Sequence, residues 1–220
     1  MRNLNRALNR NSYYFTHYAV FVVVLTVFCI SISKPDGFLL INHIHAPVFD
    51  RFFILFTQVG NGLFVVGLMI FLLIKKKYKW TVQIGISFLF SGLLVQALKH
   101  LYQSPRPKVY FGPGNIHEIQ GITCTGLSSF PSGHTATIFA LTTLLALYFT
   151  GRKSGLLFFW IAAMTGFSRI YLSQHFPIDV LGGSIAGVLT SLLVYMLLPL
   201  HVFERKFEKS EFENQSIKLQ

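Results

Sequence analysis

Six residues between positions 99 and 179 of this 220-residue chain have side chains suited to acid–base and nucleophilic work on an anion: Lys99, Arg106, His134, Arg169, His175 and Asp179. His175 and Asp179 are four residues apart, one helical turn, and Pro177 between them marks a helix start. A carboxylate that accepts one imidazole N–H fixes the tautomer and leaves the other ring nitrogen to attack. The same pair would serve equally as a structural tie between a loop and a helix end, and both readings stand on these two residues alone.

Residues 129–136 read SFPSGHTA. Pro131 suits a helix start, and Ser132 can cap the orphan amides of the first turn. Gly133 lets the backbone approach a ligand closely. A helix N-terminus offers N–H groups and partial positive charge to an anion, and His134 sits at that end. An ordinary cap with a bystander histidine fits the stretch just as well. Lys99, Arg106 and Arg169 each read singly as interfacial anchors whose charged heads snorkel to water. Grouped beside two histidines, they read as a pocket that neutralises a phosphate, arginine as a planar fork and lysine as a point charge.

Apolar runs must position these side chains. The chain is 52% hydrophobic and 12% charged, where soluble domains carry about 25% charge. Six runs stand out, residues 18–32, 52–74, 80–98, 135–150, 154–173 and 178–198. A span needs about 20 residues to cross about 30 Å of hydrocarbon. The first and fourth runs are short by that measure and gain length from flanking aromatic and small polar residues. The expected fold class is all-α, an integral membrane bundle of six transmembrane helices, with five as the alternative. The first run also has the basic flank and small-residue site of a signal peptide. Tyr13, Tyr14 and Tyr18 resemble an interfacial belt and favour a retained span.

With the N-terminus inside, 13 of the 19 basic residues fall on inner segments, among them Lys75, Lys76, Lys77, Lys79, Arg152 and Lys153. The positive-inside rule then predicts one domain over residues 1–220: a cytoplasmic N-terminus (1–17), the bundle (18–200) and a cytoplasmic tail (201–220). Loops 99–134 and 169–179 share the outer side. The net charge of +11 does not read as nucleic-acid binding, because the lysines and arginines cluster at the ends of apolar runs. Cys29 lies in the first run and Cys124 in a loop, so no disulfide is expected, and no Cys/His zinc pattern is present.

In combination, these residues resemble the type 2 phosphatidic acid phosphatase (PAP2) superfamily, whose signature is K-x6-RP, PSGH and SR-x5-H-x3-D. The chain reads Lys99-HLYQSP-Arg106-Pro107, then Pro131-Ser132-Gly133-His134, then Ser168-Arg169-IYLSQ-His175-FPI-Asp179, matching in type, spacing and order. The resemblance implies that His175 attacks phosphorus and Asp179 orients it. His134 protonates the leaving oxygen and then activates water. Lys99, Arg106, Ser132, Gly133 and Arg169 hold the phosphoryl oxygens. It further implies no cofactor and no metal, a lipid-phosphate substrate, and an active site at the outer, periplasmic face of a bacterial inner membrane. Lipid A phosphate is the leading substrate expectation, with undecaprenyl diphosphate or phosphatidylglycerophosphate as alternatives. A vanadium haloperoxidase and a non-catalytic lipid-binding or lipid-moving protein are the readings from other classes.

Other residues carry blander expectations. His43 and His45 read as loop surface, His100 as pocket rim and Glu118 as a solvated acid. Residues 115–129, with Gly114, Gly121 and Gly126, read as a mobile cover that selects substrate. Gly183 and Gly187 are a small-xxx-small pair for packing within the bundle or for a dimer contact.

Overall fold

The computed structural model describes residues 8–119, 128–149 and 151–198. Among these the chain is helical and contains no strand. The helices are α1 (Ser12–Ser31), α2 (Lys34–Asn42), α3 (Pro47–Phe56), α4 (Gly62–Ile74), α5 (Tyr78–Tyr102), α6 (Pro107–Phe111), α7 (Gly133–Tyr148), α8 (Arg152–Tyr171) and α9 (Pro177–Leu197). A 3-10 turn, Thr57–Gly60, follows α3.

Helix α7 is the centre of the bundle. It is buried along most of its length and packs against α5, α8 and α9. In so apolar an interior each hydroxyl needs a partner. Ser191 Oγ donates to Ala140 O at 2.8 Å and lies 2.6 Å from Ser87 Oγ, tying α9 to α7 and α5. Tyr14 OH reaches Thr142 Oγ1 at 3.0 Å and Thr143 Oγ1 at 3.1 Å, tying α1 to α7. Gly183 and Gly187 settle their own question: they pack α9 onto α7 within this chain. A Cβ on Gly187 would lie 2.3 Å from Ala136 O, and one on Gly183 would lie 2.5 Å from Ser132 O. On the outside, α1 exposes Val20, Val23, Val24, Val27 and Ile30, an apolar face suited to lipid.

Two segments differ from the sequence expectation. The run 52–74 is not one helix. It breaks at the 3-10 turn, and Asn61 Oδ1 accepts from Leu63 N at 3.0 Å to start α4 afresh. Packing demands a glycine at the break: a Cβ on Gly60 would lie 2.7 Å from Thr165 Cγ2 and 3.1 Å from His134 O. The expected first outer loop instead contains α2, opened by Ser33, whose Oγ accepts from Asp36 N at 3.3 Å. A 113° bend separates α2 from the segment Pro47–Gly60. Among the described residues, three helical segments are long and apolar enough to cross a membrane, α1, Tyr78–Phe111 and α9, or four if the bent pair counts as one. Helices α4 and α7 are apolar but have only 13 and 16 residues, so α7 rises about 24 Å.

The helices give the bundle two chemically distinct ends. At one end Trp80 stacks on Tyr148, with ring centroids 4.9 Å apart, near the Lys75–Lys77 turn between α4 and α5. At the other end the C-termini of α5 and α8 meet the N-termini of α7 and α9. Cys29 is free. Cys124, Gly121, Gly126, the first seven residues and the tail lie outside the described residues.

Candidate active site

The turn between α8 and α9 builds the histidine–carboxylate pair. Ser173 takes a left-handed conformation (φ 57°), and Pro177 then opens α9. Asp179 caps its own helix, its Oδ2 accepting from Phe176 N at 2.8 Å. The same oxygen accepts from Ser129 Oγ at 2.5 Å and lies 3.4 Å from His175 Nδ1. Ser129 Oγ is also 3.3 Å from His175 Nδ1. The ring is therefore held through Nδ1, which leaves Nε2 on the opposite side. Both residues are buried, His175 at 2% exposure and Asp179 at 0%.

Burial pushes the His175 imidazole down to about 4; Asp179 opposes that shift, and Arg169 and Arg106 reinforce it. A depressed value keeps the ring neutral from the ordinary range near 6.5 down to about 4, and this neutral form is lost only as pH falls through that lower value. An imidazole NMR titration in detergent, assigned with His175→Asn, is expected to place the midpoint near 4. A midpoint near 6.5 would contradict the burial argument.

The start of α7 forms the second part. Ser132 Oγ accepts from Thr135 N at 3.4 Å and from Thr135 Oγ1 at 2.8 Å. Ser132 N donates to Asp179 O at 2.9 Å, which joins this cap to the α9 start. His134 follows in the first turn, within electrostatic reach of Arg169, His175 and Arg106. A Cβ on Gly133 would meet only Val95 Cγ1, at 3.9 Å. Packing does not require glycine there, which fits a backbone kept open for a ligand.

The cations complete the cluster. Lys99, in the last turn of α5, donates to Ser128 O at 2.7 Å. Arg169, 6% exposed, donates through one terminal nitrogen to Thr57 Oγ1 at 2.7 Å and through the other to Gln174 Oε1 at 3.0 Å. Arg106 donates to the same Gln174 oxygen at 3.4 Å. Lys99, Arg106, Ser132, Gly133, His134, Arg169, His175 and Asp179 thus gather at one end of the bundle. Ser129, Gln174 and Thr57 join them without having been named from the sequence. Ser129 stood in the SFPSGHTA stretch, and Gln174 occupies a variable place in the third motif. Thr57 lies in an apolar run with nothing local to mark it. Among the described residues no three His, Cys, Asp or Glu side chains converge as a metal-ligand set.

Several peripheral expectations change. Glu118 is not simply solvated but pairs with Lys108 at 2.5 Å. His45 is exposed as expected, yet its ring stacks on His117 with centroids 4.0 Å apart. The first part of the expected mobile cover is pinned. His117 N donates to Asn42 Oδ1 at 2.9 Å, and His117 O accepts from Ser173 Oγ at 2.7 Å. Ile116 packs in the cluster of Phe38, Ile170, Phe176 and Val180.

Residues 80–202 match the family model of the PAP2 superfamily. The chain is 30% identical over 155 residues to undecaprenyl-diphosphatase BcrC of Bacillus subtilis, covering 69% of this chain and 76% of that protein. It is 40% identical over 75 residues to a lipid A 1-phosphatase of Porphyromonas gingivalis, covering 33% of this chain but 17% of that protein. The crystal structure of Aquifex aeolicus LpxE superposes with a TM-score of 0.67 at 29% identity, over 75% of this chain and 96% of that one. All three motif segments fall inside the matched region, and the chain belongs to the PAP2 superfamily.

Proposed function

We propose that this protein is a lipid-phosphate phosphohydrolase that works through a phosphohistidine at His175. One observation carries the reading: a buried imidazole, held at Nδ1 by Asp179 and Ser129, lies beside two arginines and a capped helix start. In the first step the His175 Nε2 lone pair forms a bond to phosphorus. The bond from phosphorus to the lipid oxygen breaks, and that oxygen takes a proton from His134. Asp179 offsets the positive charge that His175 gains. In the second step His134 takes a proton from water, the water oxygen attacks phosphorus, and the P–N bond breaks to release inorganic phosphate. Lys99, Arg106, Arg169, Ser132 and the Gly133 amide stabilise the oxygens in both steps. Charge neutralisation is assigned to these groups, so no added metal is required.

The proposed setting is a bacterial inner membrane, with the site at the periplasmic interface and both termini cytoplasmic. Six apolar segments cross or enter the bilayer, the second of them broken at Thr57–Gly60. The distribution of basic residues supports this orientation. It would leave a lipid tail in the bilayer while the headgroup phosphate enters the site. Lipid A phosphate is the proposed substrate, supported by the lipid A 1-phosphatase relative. Undecaprenyl diphosphate is the second reading, favoured by the longer match to BcrC.

The test is phosphate release by purified protein in detergent with EDTA, from lipid A, undecaprenyl diphosphate, phosphatidylglycerophosphate and phosphatidic acid. Release from at least one is expected, with the ranking naming the substrate. Binding of these lipids without release from any would favour the non-catalytic reading. Release only after a divalent metal is restored would overturn the metal-free mechanism.

A further inference from the structure

Gln174 lies at a place the three motifs leave variable, yet it is 3% exposed and stands between the two arginines. Its Oε1 accepts from Arg169 at 3.0 Å and from Arg106 at 3.4 Å. Arg169 comes from the last turn of α8, and Arg106 from the segment that leads into α6. Local backbone structure therefore does not fix the distance between the two guanidiniums. The shared carboxamide oxygen spans that distance. At the other terminal nitrogen of Arg169, Thr57 Oγ1 accepts at 2.7 Å, so the guanidinium is held at both ends of its fork.

The chemistry of the bridging atom matters. A carboxamide oxygen accepts from both arginines while leaving both positive charges uncancelled. A carboxylate in its place would form a charge-assisted pair with the same donors and compete with an incoming phosphate. An apolar side chain would leave two like charges with no acceptor between them. Resting on the phosphatase reading above, we propose that Gln174 is a positioning residue that sets the spacing and orientation of Arg106 and Arg169 for one phosphoryl group while preserving their charge. Its effect falls on binding of the phosphate rather than on the proton transfers, which belong to His134 and His175.

Two near-isosteric variants separate these contributions, Gln174→Glu and Gln174→Met. The readouts are inhibition by inorganic phosphate, and KM and kcat for a hydrolysed lipid phosphate. Gln174→Glu is expected to weaken phosphate inhibition and raise KM by about 10-fold or more, with a smaller fall in kcat. Gln174→Met is expected to do the same more weakly, by roughly 3-fold to 10-fold. A residue that merely fills space would give equal effects in both variants, tracking the loss of folded protein. That result would overturn the proposal, as would a Gln174→Glu enzyme with phosphate inhibition and KM within about twofold of the parent. Failure of the parent protein to hydrolyse any lipid phosphate would instead sink the phosphatase reading. Inorganic phosphate binding to parent and variants would still decide the role of Gln174.

Discussion

His175→Ala is expected to remove lipid-phosphate turnover by roughly 10,000-fold or more, the scale of loss when a nucleophile acting within a unit is deleted. Without the imidazole no P–N bond can form, and the remaining cations can bind phosphate but cannot divide the reaction into two easier steps. The fold should survive the change. Asp179 keeps its hydrogen bonds to Phe176 N and Ser129 Oγ, so α9 stays capped and the carboxylate keeps partners. Asp179→Ala would be a poorer test, because it strips the helix cap and the Ser129 partner together and mixes stability with chemistry. Phosphate release and a melting curve on the same His175→Ala sample check the prediction. A folded variant with substantial turnover contradicts it.

The second large effect belongs to His134, and it should depend on the leaving group. For a lipid alcohol the departing oxygen needs a proton, so His134→Ala is expected to lose about 100-fold to 10,000-fold in turnover. An aryl phosphate releases an acidic phenol that leaves without that help, so the first step should fall much less. Water activation then limits the cycle, and phosphoenzyme accumulates behind a burst of released phenol. Stopped-flow measurement with an aryl phosphate shows whether the burst appears. Equal losses for lipid and aryl substrates, with no burst, would remove His134 from the proton-transfer role.

Much of this site was legible in the sequence because its parts are local. Pro177 and Asp179 open α9 by the ordinary rules of helix starts, and the same turn carries His175. Ser132 caps α7, as its place after Pro131 suggested. The break in the run 52–74 was also written there, since Gly60-Asn61-Gly62 is a turn signal. A continuous apolar stretch masks such a signal when read by hydropathy alone. Ser33-x-x-Asp36 likewise announced α2 within what read as a loop.

The rest depended on tertiary placement. Thr57 lies 112 residues before Arg169, and no local pattern says which hydroxyl will meet which guanidinium. Gln174 neighbours His175, but its bridge to Arg106 spans 68 residues and needs α5 and α8 both packed against α7. The pairing of Lys108 with Glu118 and the stack of His45 on His117 arise in the same way, from chain segments that fold back on each other. Motif spacing marked the charged and histidine side chains that gather at this end of the bundle. Packing decided which neutral side chains hold those groups still.

Trapping the covalent intermediate tests the central claim most directly. Purified protein is mixed with phosphate-labelled lipid substrate and quenched rapidly at alkaline pH, then digested for mass spectrometry. The account predicts one acid-labile phosphate on the imidazole of His175, absent from His175→Ala and accumulating in His134→Ala with an aryl phosphate. Label on another residue, or steady hydrolysis with no phosphohistidine at any quench time, would contradict it.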